Sequence, residues 1–208
     1  MDVLLKNLLY AYAALFAITN PVGAVPVFLS VTHGISLRDR VRIAKKVMIT
    51  VFLTLVIFAV IGEWIFSFFG SSVDAFSIAG GILLFRMALD MLSGQISKVK
   101  ISEEEAEEIT LEDIAIIPLA IPLISGPGAI TTVMLYMAKS PTVIEKSMVL
   151  LAVLLVSITT YLILLSADKV EKKLGKVGIK VLTRMMGLIL ASIAVQMVIN
   201  GIKGAFNL

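Results

Sequence analysis

Six runs of mostly apolar residues, each about as long as a bilayer is thick, limit what this chain can fold into. A hydrocarbon core of ~30 Å needs about 20 residues of helix at ~1.5 Å per residue. The runs cover about 3–32, 47–69, 73–93, 114–138, 148–167 and 181–201. In lipid every backbone N–H and C=O must be paired inside the protein, so only helices and closed barrels can span it. Barrel strands would alternate polar and apolar residues over ~9–11 positions, and no alternation is visible. The predicted fold is all-α, a polytopic membrane protein with six transmembrane helices. Composition agrees, with 59% of the 208 residues hydrophobic and 16% charged, against ~45–50% apolar in soluble domains. The first run is too long for a cleavable signal and no basic segment precedes it.

Lysine and arginine set the expected orientation. With six spans, one side of the membrane holds four basic residues, Lys6, Lys139, Lys146 and Lys203. The other holds twelve, from Arg38–Lys46, Lys98–Lys100 and Lys169–Lys180. The reading is a plasma-membrane protein with both termini outside and the basic loops in the cytoplasm. The net charge of +3 comes from those loops, which suit contact with anionic lipid rather than nucleic acid.

Several chemistries are disfavoured. The chain has no cysteine and one histidine, His33, so no metal centre and no cofactor are expected, and no enzyme built on a thiol or a metal cluster. The acidic run Glu103–Asp113 reads as a short surface helix, with Ser102 and Glu105 at capping-box spacing.

Internal repetition is more informative. Offsetting the chain by 106 residues pairs Pro21 with Pro127, Thr19 with Ser125 and Asn20 with Gly126. It also pairs Gly81 with Gly187, Ala88 with Ala194, Asp90 with Gln196 and Met91 with Met197. The chain thus reads as two repeats, 1–105 and 106–208, of three spans each. An odd number of spans turns the second repeat upside down. Inverted repeats are a recurring plan of secondary transporters, which rock two similar bundles about a site near the midplane.

The first and fourth runs are interrupted near their middles by Thr19-Asn20-Pro21-Val22-Gly23-Ala24 and Ser125-Gly126-Pro127-Gly128-Ala129. Proline removes a donor and clashes with the preceding turn, and the adjacent glycines ease unusual backbone angles. Helices 1 and 4 are therefore expected to break at the midplane. Pro21 and Pro127 would open the outgoing halves, with Asn20 and Gly126 as N-caps. Exposed N–H groups would suit a carboxylate, and the carbonyls ending the incoming halves an ammonium. A small zwitterion satisfies both. Thr19, Asn20, Pro21, Gly23, Ala24, Ser125, Gly126, Pro127, Gly128 and Ala129 are the candidate binding residues.

Those motifs also carry a resemblance. Asn20-Pro21-Val22-Gly23-Ala24-Val25-Pro26-Val27-Phe28-Leu29 and Ile121-Pro122-Leu123-Ile124-Ser125-Gly126-Pro127-Gly128-Ala129-Ile130-Thr131-Thr132 resemble the signatures of MarC family integral membrane proteins. The similarity covers essentially the whole chain. It implies a transporter of small neutral amino acids such as glycine and alanine, coupled to protons. Sodium is the other candidate ion for such a carrier.

Ionisable residues within spans are functional candidates. Arg86 and Asp90 are spaced to pair along one helix face, and a structural ion pair is the preferred reading; if an ion is coupled, Asp90 is the first choice and Glu63 the second. Glu63 sits beside Trp64 at an interfacial position. A channel and a non-transporting assembly protein are the alternative readings, and an oligomer is compatible with the sequence.

Overall fold

The computed structural model describes residues 2–32, 34–93 and 115–206. His33 and the acidic run 103–113 lie outside the described residues, as does the side chain of Glu63. Eight helical segments follow in order: α1 (Asp2–Thr19), α2 (Val25–Val31), α3 (Leu37–Phe68), α4 (Val73–Ser93), α5 (Ala115–Ile124), α6 (Pro127–Ala138), α7 (Val143–Leu165) and α8 (Ala167–Phe206). No strand occurs among the described residues.

Local chemistry fixes the boundaries. Ser36 starts α3 by accepting the Asp39 N–H at 3.2 Å. Thr142 and Glu145 form a reciprocal capping box at the start of α7, which satisfies two orphan donors at once. Gly175, at φ 64°, interrupts the helical angles inside α8, a left-handed conformation that costs glycine little. α5 is wound as a π-helix. Pro118 and Pro122 lie one turn apart there, and each withholds an N–H from the ordinary ladder. The i to i−5 bond from Ser125 N to Ala120 O, at 2.9 Å, closes that segment.

Four segments are long and apolar enough to cross a membrane: Leu37–Gly62, Val73–Ser93, Val143–Leu165 and Val177–Phe206. The stretches expected to form the first and fourth spans are each divided into two shorter helices, α1 with α2 and α5 with α6. The long helices are apolar on both faces. In α3, Val47, Val51, Leu55 and Ala59 turn inward at helical spacing, while Leu53, Ile57 and Val60 face out. In α7, Val149, Val153 and Val156 are buried and Leu154, Ile158 and Leu162 exposed. Helices that are apolar all round belong inside a large core or in lipid. Trp64 stacks on Phe68 at 5.1 Å near the end of α3, both largely exposed, as side chains at a membrane interface are.

Lipid tails are as apolar as leucine, so helices hold together through close packing at small residues. α4 and α8 make the most extensive pairing, antiparallel, with glycines at their crossings. A Cβ on Gly81 would lie 2.7 Å from the Ala194 carbonyl oxygen and 3.1 Å from Val198 N. One on Gly187 would lie 3.1 Å from the Ala88 carbonyl oxygen and 3.2 Å from Leu92 N. At one end of the bundle Arg40 ties α2, α3 and α8 together. Its Nε donates to the Thr32 carbonyl at 3.1 Å and its Nη1 to the Asp168 carboxylate at 3.3 Å. The basic starts of α3 and α8 therefore share one end.

Candidate functional site

The chain leaves α1 at Thr19 and re-enters a helix at Val25. Asn20 makes this possible. Its backbone takes φ 40°, a left-handed angle that asparagine tolerates better than most side chains. Its carboxamide oxygen accepts the Gly23 N–H at 3.2 Å, and its carbonyl accepts the Ala24 N–H at 3.2 Å. These bonds close a turn at Asn20 rather than cap a helix as expected, because α2 begins only at Val25. Only turns follow until Val25, so the outgoing helix is shorter than the proline alone would predict. Gly23 is required because a Cβ there would run into the Asn20 carboxamide nitrogen.

This turn lines a cavity of about 70 Å³. Ile18, Thr19, Asn20, Gly23 and Ala24 form one wall, Met87, Asp90 and Met91 of α4 another, and Leu123 and Thr183 close it. A water-sized group needs ~10–15 Å³ on this measure, so the space accommodates a molecule of about five or six non-hydrogen atoms. Three polar residues share its lining. Asp90 is partly buried and forms no ion pair among the described residues. The Thr183 hydroxyl is buried and has no hydrogen-bond partner among the described residues, a costly arrangement for a group that could otherwise bond. Asp90, Thr183 and Asn20 thus line one small, mostly apolar space. That arrangement suits a solute carrying an ammonium and a carboxylate.

The ion pair expected between Arg86 and Asp90 does not form: Arg86 is exposed while Asp90 turns to the cavity with Met87 and Met91. The two interruptions also differ more than the repeat suggested. Gly126 caps α6 at extended angles with Pro127 at its first position, as expected, and no side chain caps it. Leu123 just before it lines the cavity, but Ser125, Gly126, Pro127, Gly128 and Ala129 do not. Ser125 is buried and its hydroxyl donates to the Ala120 carbonyl at 2.8 Å. Pro127 is exposed, while Gly126, Gly128 and Ala129 are buried. A Cβ on Gly128 would meet Leu84 and lie 3.3 Å from Met87 Sδ. Met87 is therefore the link, touching the second interruption from below and lining the cavity at the first. Pro21 is buried and does not line the cavity either.

Thr183, Met87 and Met91 were missed by sequence reasoning, whereas Ile18 and Leu123 lie at the ends of the incoming halves, whose carbonyls were expected to meet an ammonium. A signal existed for Thr183, because the 106-residue offset pairs it with another hydroxyl, Ser77.

Helices apolar on both faces, joined through glycine-backed crossings and enclosing a small, mostly apolar cavity, define a polytopic integral membrane protein. Residues 5–206 match the description MarC family integral membrane protein, and the chain belongs to that family. It is 59% identical over 204 residues to a UPF0056 membrane protein of Pyrococcus horikoshii, covering 98% of each chain. Another UPF0056 membrane protein, from Bacillus subtilis, is 38% identical, covering 96% of this chain and 95% of its own. One from Escherichia coli is 33% identical, covering 94% and 91%. No solved structure matches the chain.

Proposed function

We propose that this protein is a secondary transporter of small neutral amino acids, of the size of glycine or alanine, rather than an enzyme. The observation that carries this reading is the cavity at the Asn20–Ala24 turn, which Asn20, Asp90 and Thr183 line together around room for a very small solute. Asp90 accepts the solute ammonium. The Asn20 carboxamide N–H and the Thr183 hydroxyl donate to its carboxylate, and Met87, Met91 and Leu123 leave no space for a larger side chain. Asp90 is also the residue assigned to proton or sodium coupling, since a carboxylate beside the solute ties ion binding to solute binding.

In this reading α1 with α2, and α5 with α6, are interrupted spans. The six spans then form two inverted repeats whose rocking opens a path to each side of the membrane in turn. Packing supports the repeat. The contact of Gly81 with Ala194 and Val198 maps, under the 106-residue offset, onto that of Gly187 with Ala88 and Leu92. A self-complementary seam of that kind is what a two-fold relation produces. Thr19 and Ser125 are also equivalent, and each donates its hydroxyl to a carbonyl of the helix just ended. The shared basic end at Arg40 and Asp168 supports a cytoplasmic face there, with the termini outside at the plasma membrane.

The test is reconstitution of the purified protein in liposomes with labelled glycine and alanine, with and without proton and sodium gradients. Saturable uptake driven by one gradient is expected. Absence of uptake under either gradient would reject the reading.

A further inference from the structure

A second cavity of about 300 Å³ lies between α1, α4, α6 and α8. Four of its lining residues are the 106-residue counterparts of residues lining the first. Ser77 stands for Thr183, Ile193 for Met87, Gln196 for Asp90 and Met197 for Met91. Ser77 and Asp90 are separated by about 20 Å along α4, at ~1.5 Å per residue. The two cavities therefore sit toward opposite ends of the same helix pair.

The second cavity has polar groups of its own. Thr132 is 3% exposed, lines the space, and has a hydroxyl with no hydrogen-bond partner among the described residues. Gln196 donates from Nε2 to Asn200 Oδ1 at 2.8 Å, which fixes its carboxamide and leaves Oε1 to accept. Lys139 stands at the wall. Among the described residues no acidic side chain lines this cavity, whereas Asp90 lines the first. A wider space of about 510 Å³ adjoins it, sharing Ala14, Tyr136, Lys139 and Ile193, and reaches Asn7 and Ser140 at the end of the bundle remote from Arg40.

We propose that this cavity is a second station for a small zwitterionic solute, reached from the membrane face opposite to the one that serves the Asp90 cavity. Lys139 meets the carboxylate, and the Thr132 hydroxyl and Gln196 oxygen accept the ammonium. The inference rests on the transport reading for its solute class. The exchange of Asp90 for Gln196 leaves the second station without an ionisable acceptor, so ion binding belongs to the first station alone.

The chain has no cysteine, so single substitutions report access cleanly. Met197→Cys and Met91→Cys, which line the two cavities without an assigned contact to the charged groups of the solute, are each exposed to a membrane-impermeant thiol reagent in right-side-out and inside-out vesicles, with and without glycine. Ile193→Cys and Met87→Cys serve as second probes of the same two cavities. Position 197 is expected to react only from the side of the chain termini and position 91 only from the side of the basic loops. Glycine at about ten times its Kd should slow both about tenfold, the factor 1 + [L]/Kd. Reaction of both positions from one side, or failure of glycine to protect positions 197 and 193, would overturn the proposal. Opposite access with protection but no uptake would retain two stations and reject transport. Uptake with positions 197 and 193 unprotected would retain transport and reject the second station.

Discussion

Adding one methyl group at Gly81 tests whether the α4–α8 seam is held by backbone contact. A Cβ there would lie 2.7 Å from the Ala194 carbonyl oxygen, and ordinary contact begins near 3.4 Å. Neither side of the contact is a flexible side chain, so Gly81→Ala requires the helices to part by roughly 0.7 Å, a gap that forfeits a quarter to a half of the dispersion well for each pair across it. Overpacking of this kind costs ~1–3 kcal/mol, against a gain of up to ~1 kcal/mol when alanine replaces glycine in a helix. The expected net loss is about 1–2 kcal/mol, or a fall in Tm of about 2–8 °C for a chain of this length. Thermal unfolding in detergent, followed by loss of helical circular dichroism, measures it. Gly187→Ala, at the repeat-equivalent crossing, should cost less, because its Cβ would lie 3.1 Å from the Ala88 carbonyl oxygen, while Ile82→Ala on the outward face should stay within ~0.5 kcal/mol. If Gly81→Ala raised Tm as it would on a free helix, the packing argument would be wrong.

Three further outcomes follow from the site and topology. Thr183→Val removes a buried hydroxyl that has no partner, so it should leave stability unchanged or raise it by up to ~1 kcal/mol while weakening glycine binding about five- to tenfold; thermal scans and calorimetry must move in these opposite directions. Asn20→Ala loses the turn bond to Gly23 and strains a left-handed angle, costing about 1–2 kcal/mol, and Asn20→Gly should recover a large part of it in the same unfolding assay. A cysteine at position 2 should be labelled by an impermeant reagent from outside intact cells, and labelling only in inverted vesicles would reverse the orientation.

The class of fold was legible because bilayer thickness acts on run length, and run length can be read directly. Pro127 and Gly126 also behaved as their chemistry demands, since the missing donor of proline is harmless only at a helix start. Asn20 was legible as a polar turn residue, but not as the residue that takes the left-handed angle and holds the chain in turns until Val25. The π-winding of Ala115–Ile124 escaped prediction because two prolines one turn apart prescribe a disturbed ladder without saying how it is repaired. The candidate site was half legible. Thr19, Asn20, Gly23 and Ala24 act through local backbone chemistry, whereas Met87, Asp90 and Thr183 meet them only through tertiary packing. At the second interruption Gly128 makes room for Leu84 and Met87, neighbours that no local pattern announces.

The account turns on a solute that binds in the Asn20–Asp90–Thr183 cavity and crosses as the protein changes sides. Counterflow in liposomes measures this most directly: vesicles loaded with unlabelled glycine are diluted into a trace of labelled glycine with no ion gradient. The account predicts a transient accumulation of label that saturates with internal glycine and is lost in a Gly23→Leu variant. Flux that rises linearly with concentration and gains nothing from internal glycine would identify a channel and contradict it.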